Sequence, residues 1–215
     1  MTYKLTSLRN DYLTPHYFVE RVLNIAGLNK FDCDVCCSHF NVPAHFYYKQ
    51  DGLYFRYKNN LTERLLFLSG LQGRWFKNNW CNPPFNITSK FVYKAIEEQK
   101  RGCSTYMLLP ARTETEYWRN GIMTNGKPNK KDIDITFLKK ELSFLLPDTQ
   151  SPVQMKVKQK NGSTKLVNGL CKEPLALVIF KGKTPWPTNM IFSDQEPSAS
   201  QKNSQPKPLA INFHV

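Results

Sequence analysis

The segment WCNPPFNITSKFVYKAIEEQKRGCSTYMLLP, residues 80–110, reads as strand, rigid turn, helix and strand in succession. WFKNNWC (75–81) alternates as a strand does, and Pro83 and Pro84 cannot continue its ladder. Beyond the prolines, residues 86–102 carry Ile87, Phe91, Ala95 and Ile96 on one helical face, and Gly102 supplies the stop. CSTYMLLP (103–110) is apolar like a strand covered on both faces, and it ends in proline.

Working outward, Thr14-Pro15 opens a helical pattern with Val19, Val22, Leu23 and Ala26 at helical spacing and Gly27 as its stop. FDCDVCC (31–37) predicts a short buried strand that ends near an acid. NVPAHFYYKQDGL (41–53) mixes turn residues with aromatics, and Asp51-Gly52 is a turn signal. Residues 111–121 predict another short helix, 133–146 two strands joined at Lys139-Lys140, and PLALVIF (174–180) a buried strand. The stretch 193–215 is rich in Ser, Gln, Lys, Pro and Asn, a composition that does not build a core. Alternating strands and helices predict an α/β domain with a mostly parallel sheet and helices on both faces, over residues 1–192. In such sheets ligands bind beyond the carboxyl ends of the strands. The N-P-P-F loop, the acid of FDCDV and the Pro110 loop all fall at that rim.

The chain has 215 residues, with 30 Lys and Arg against 17 Asp and Glu, a formal net charge of +13. That excess favours a polyanionic partner, nucleic acid above all. No apolar run approaches the roughly 18 residues that a membrane span needs. Met1–Asn10 lacks the apolar core of a secretory signal, so a cytoplasmic location is expected. Cys33, Cys36, Cys37 and His39 make half a zinc pattern with no second ligand pair, and the six cysteines read as free thiols rather than as metal ligands or disulfides.

Asn82 stands before a proline and is held extended. Pro83 and Pro84 lack N–H groups, so the loop presents carbonyl oxygens with few competing donors. The Asn82 amide oxygen adds an acceptor and Phe85 a flat apolar face. This composition suits a planar group carrying an NH₂. Two acceptors set against the N–H bonds of an exocyclic amine favour a pyramidal nitrogen whose lone pair can attack an electrophile. Positioning and electrostatics supply the acceleration, and no group with a tuned pKa is required. As a mere structural device, the same four residues would be a turn that ends a strand.

On these residues the chain resembles the phage-type (Dam-like) DNA N6-adenine methyltransferases, a group with a Rossmann-like fold that uses S-adenosylmethionine. The resembling stretches run in family order: TPHYFVERVL (14–23), FDCDVCCSHFNVPAHFYYKQDGL (31–53), WCNPPFNITSKFVYKAIEE (80–98), LLPARTETEYW (108–118), ITFLKKELSF (135–144) and PLALVIF (174–180). The resemblance implies an antiparallel C-terminal strand and methyl transfer to adenine N6 in DNA. It assigns Asn82, Pro83, Pro84 and Phe85 to the target base, and Thr14, Pro15, Asp34 and Asp51 to the cofactor. It puts Arg112 and Thr113 at the rim, facing DNA. Lys127, Lys130 and Lys131 in NGKPNKK, and Lys156 and Lys158 in KVKQKNGSTK, read as loop residues for phosphates within a recognition region, 119–172. Host cytoplasm is implied for a phage-encoded chain, the nucleus for a eukaryotic one.

Two departures from the family pattern stand out. DVCCSHFN has no glycine where a glycine-rich cofactor loop is usual, and residues 54–74 form an added segment. N-P-P-F also occurs in enzymes that methylate RNA bases or protein glutamine. RNA adenine methylation, or a non-catalytic nucleic-acid-binding subunit of the same fold, are the alternatives.

Overall fold

A computed structural model describes residues 12–56, 62–159, 162–171 and 173–182. The readings of Met1–Asn10, of the tail 193–215 and of the domain's last residues before 193 lie outside the described residues.

Helix α1 (His16–Ala26) follows Pro15, whose carbonyl accepts from the Phe18 and Val19 amides. Gly27 ends it in the left-handed region, with φ 66°. Phe18, Val19, Val22 and Leu23 form its buried stripe. Strands β1 (Phe31–Asp34) and β2 (Ala44–Lys49) come next, then β3 (Gly52–Arg56), β4 (Thr62–Leu66) and β5 (Asn78–Cys81). Helix α2 (Thr88–Lys100) starts as soon as the proline turn closes: the Ile87 amide and the Thr88 hydroxyl both donate to the Pro84 carbonyl. It runs into β6 (Ser104–Pro110), buried along its whole length. A π-type turn (Trp118–Ile122) leads to the small hairpin of β7 (Met123–Thr124) and β8 (Lys127–Pro128). Then come β9 (Ile133–Phe137), β10 (Gln154–Lys158), β11 (Thr164–Asn168) and β12 (Leu175–Phe180).

Eight strands make one mixed sheet in the order β4-β3-β2-β1-β5-β6-β12-β9. The pairs β1–β2, β1–β5 and β5–β6 are parallel. β3 and β12 run against their neighbours, and β12 inserts between β6 and β9. The architecture is α/β and compatible with a Rossmann-like fold, with a long helix on each face. Phe18 and Val22 of α1 pack on Phe31, Trp80, Leu108 and Leu177. Phe91, Val92 and Ala95 of α2 pack on the other face, against Cys33, Cys81, Met107 and Val178.

Several readings change. Residues 41–53, read as turn residues and aromatics, instead supply β2 and the start of β3, a hairpin that widens the sheet. The added segment 54–74 supplies the end of β3, the edge strand β4 and a loop that tucks under the sheet. Only Asn78–Cys81 of the stretch 75–81 is strand, because Trp75 turns inward and its indole donates to the Gly70 carbonyl at 2.6 Å. The second strand expected in 133–146 does not form; Leu145 instead makes isolated bridges to Leu13 and Pro152. The lysine-bearing stretches expected as loops are hairpins: Lys127 lies on β8, and Lys156 and Lys158 lie on β10. The helix expected at 111–121 is a short turn around the buried Trp118.

Candidate functional site

The chain leaves β1 to form β2 on one side and returns to form β5 on the other. This change of direction opens a crevice beyond the carboxyl ends of β1 and β5. A cleft of about 890 Å³ lies there, within the size range of small-molecule sites. Thr14, Asp34, Asp51, Asn82 and Pro84 all line it, so the structure gathers those sequence-assigned residues at one place.

Asn82 leaves the end of β5 and is half-buried. Its amide nitrogen donates to the Thr14 hydroxyl at 3.0 Å. Thr14 is 2% exposed, and its carbonyl accepts from the Asn41 amide at 3.2 Å. The segment before α1 is therefore clamped between two asparagines. Because the amide nitrogen of Asn82 is committed to Thr14, its oxygen is left as the acceptor; among the described residues no donor reaches it. The Pro84 carbonyl is occupied by Ile87 and Thr88, whereas no donor among the described residues meets the Pro83 carbonyl.

Asp34 sits at the end of β1, 4% exposed. Its carboxylate accepts the Cys36 amide, yet burial pushes its pKa up to about 7. Among the described residues no cation pairs with it. Asp51, exposed in the turn between β2 and β3, differs. The Tyr54 hydroxyl donates to it at 2.6 Å and Arg64 stands 3.5 Å away, which together hold its carboxyl below the ordinary range.

Three assigned residues are not on the cleft wall. Pro15 is buried beneath α1, and Pro83 is buried behind Asn82. Phe85 is half-buried against the α1-side core, with the Arg112 guanidinium 5.7 Å from its ring centroid. Arg112 is not a free rim cation: it makes a forked pair with Glu173 at 3.1 and 3.2 Å. Thr113 is exposed next to it. Lys127, Lys130 and Lys131 are exposed on and after the β7–β8 hairpin, and the first two line a shallow polar concavity with Arg119. Lys156 and Lys158 stand on the separate two-stranded ribbon β10–β11. Among the described residues no cluster of His, Cys, Asp and Glu could hold a metal.

Family models, curated proteins and solved structures were all compared with the chain, and none matches. The site therefore speaks through its own geometry.

Sequence reasoning missed the cleft residues Asn41, Lys49 and Ser69, and it missed Glu173. No motif marks Asn41; its role depends on the approach of two loops. No glycine follows β1, but two glycines from residues 70–73 pack against that region. Gly70 packs so tightly that a Cβ there would lie 2.0 Å from the Val35 carbonyl oxygen, and a Cβ on Gly73 would strike the Tyr48 ring.

Proposed function

We propose that the protein transfers a methyl group from S-adenosylmethionine to N6 of adenine in DNA. The observation that carries this reading is the fixed amide of Asn82 on the wall of the cleft: its nitrogen is tied to Thr14 and its oxygen is left as an acceptor, beside the buried Asp34 carboxylate, which has no cation partner among the described residues.

The cleft residues fit the cofactor. A buried carboxylate without a cation is costly, and a ligand ammonium would relieve that cost. Asp34 would hold the cationic amino-acid end, and Thr14, already fixed by Asn41 and Asn82, would form the wall beside it. S-adenosylmethionine supplies an electrophilic methyl on a sulfonium whose charge is lost on transfer. The chain's part is to orient the nucleophile. The Asn82 side-chain oxygen and the Pro83 carbonyl, neither of which meets a donor among the described residues, would accept the two N6–H bonds and free the nitrogen lone pair for attack; the carbon–sulfur bond would break to leave S-adenosylhomocysteine, and the surplus N6 proton would pass to solvent. Phe85, held between the α1-side core and Arg112, would support the corner from behind rather than stack on the base. The adenine must leave the helical stack to reach this corner, at a cost of a few kcal/mol.

The net charge of +13 supports a polyanionic substrate. Among the described residues no helix is long and apolar enough to cross a membrane. The test is methyl incorporation from labelled cofactor into mixed-sequence duplex DNA, followed by mapping of the modified bases. N6-methyladenine is the expected product. Asn82→Ala should lower the rate about 10²- to 10³-fold while the cofactor still binds. Full activity in that variant would end the assignment.

A further inference from the structure

The ribbon β10–β11 is a separate two-stranded sheet, bonded in register from Gln154↔Asn168 to Lys158↔Thr164. Successive residues of a strand alternate faces, so Gln154, Lys156, Lys158, Thr164, Leu166 and Asn168 share one face. All six are exposed. Residues 154–168 hold four lysines and no carboxylate. Leu166, at 58% exposure, is the apolar member of that face.

Both legs of the ribbon are rooted beside the cleft. The leading leg passes Pro152, which bridges to Leu145, and Leu145 bridges to Leu13, a cleft-lining residue next to Thr14. The returning leg passes Glu173, which grips Arg112, and Arg112 covers Phe85. The Val153 carbonyl accepts the Gly169 amide at 2.6 Å and joins the legs at the base. An arm tied on both sides to the Asn82–Phe85 corner has its orientation fixed relative to that corner.

We propose that this ribbon lies in the major groove of duplex DNA beside the target adenine and reads the flanking sequence; this rests on the DNA methylation reading above. A B-form major groove, about 12 Å wide and 8.5 Å deep, admits a two-stranded ribbon. The strand from Gln154 to Lys158 reaches about 14 Å, enough to cross it. Lys156 and Lys158 meet the phosphates of the groove walls. Thr164 faces base edges with the Gln154 and Asn168 amides; Gln154 Nε2 donates to Asn168 Oδ1 at 2.8 Å, which leaves the Gln154 oxygen as acceptor and the Asn168 nitrogen as donor for the bases. Leu166 gains contact only against an apolar surface, and in the major groove that surface is a thymine methyl. A-form RNA, with its deep and narrow major groove, gives the ribbon no seat.

The experiment measures binding of the full chain, with S-adenosylhomocysteine present, to a fluorescent DNA duplex that the wild-type protein methylates. Affinity is read at several salt concentrations, and the matched RNA duplex is measured alongside. Lys156→Ala with Lys158→Ala should weaken DNA binding at least tenfold and lower the salt slope by about two. Methyl green, a major-groove ligand, should displace the protein where netropsin, a minor-groove ligand, does not. Thermal unfolding of the variant verifies that the fold is kept; if it is not, the groove-ligand competition on wild-type protein decides. Unchanged affinity and slope in a folded variant, or displacement by netropsin alone, overturns the ribbon assignment while methylation by the wild type stands. A wild-type protein that neither binds nor methylates any duplex overturns the methylation reading, and the ribbon proposal falls with it.

Discussion

At the residue scale, the candidate site turns on two side chains. An asparagine amide can present oxygen or nitrogen to a ligand, and Thr14 selects oxygen by taking the nitrogen. Thr14→Val keeps the shape and removes the hydroxyl. That variant should lose about tenfold in methyl transfer with little change in cofactor affinity, while Thr14→Ser should restore the rate; steady-state rates beside a cofactor titration check both. Asp34 is the second. Its pKa of about 7 arises from burial, against an ordinary carboxyl value of 3.8. A folded-state pKa raised in this way means that the folded chain holds its proton more tightly than the unfolded one. Its contribution to stability is therefore greatest below pH 3.8 and is lost as pH rises through 7. Asp34→Asn should accordingly stabilise the ligand-free protein by a few kcal/mol at pH 8 and by almost nothing near pH 4, as read by urea denaturation. Binding of a cationic ligand has the opposite sense: wild-type affinity should fall about tenfold per unit below pH 7 and level off above it, and the Asn variant should bind weakly at every pH.

At the element scale, the loop 69–76 closes tightly on the chain that follows β1. Gly70 lets the loop back onto Val35, Gly73 lets it pass the Tyr48 ring, and Trp75 locks it through the Gly70 carbonyl. Gly70→Ala must push a Cβ against a backbone oxygen that has no freedom to yield. It should cost several kcal/mol in stability and loosen the cleft wall at Ser69 and Leu71, a loss visible as a lower thermal midpoint together with weaker cofactor binding. This loop also marks where sequence stops being readable. The succession from β5 through α2 to β6 is legible because its signals are local: two prolines, a helical stripe and a glycine with φ 90°. The gathering of Asp34, Asp51 and Asn82 also follows, since the carboxyl ends of the parallel strands β1, β2 and β5 must share a rim; Thr14, ahead of α1, joins them through its bond to Asn82. The hairpin β2–β3 is hidden because Phe46, Tyr47, Tyr48, Tyr54 and Phe55 put aromatics on both faces and erase the alternation. The pairing of Arg112 with Glu173 is hidden for another reason: it spans 61 positions, and no local pattern encodes it.

At the scale of the whole molecule, the sheet serves two cores at once. Tyr47 and Tyr48 of β2 face opposite sides, as do Trp80 and Cys81 of β5, and Leu108 and Leu109 of β6. Neither core can form without the strands that also build the other, so the two helical layers should melt together rather than in steps. Trp80 reports on the α1 side and Trp118 on the α2 side; both are fully buried. Variants that keep Trp80 or Trp118 as the sole tryptophan, with the other and Trp75 and Trp186 replaced by phenylalanine, should give fluorescence transitions in urea that coincide with each other and with loss of far-ultraviolet circular dichroism. The cleft sharpens the argument, because it is walled by Trp80 from one core and by Phe91 and Tyr48 from the other. A ligand held there binds only when both cores are in place. S-adenosylmethionine at a hundred times its dissociation constant should therefore add about 2.7 kcal/mol to both transitions equally. A shift confined to one tryptophan would mean that the layers unfold separately and that the cleft belongs to only one of them.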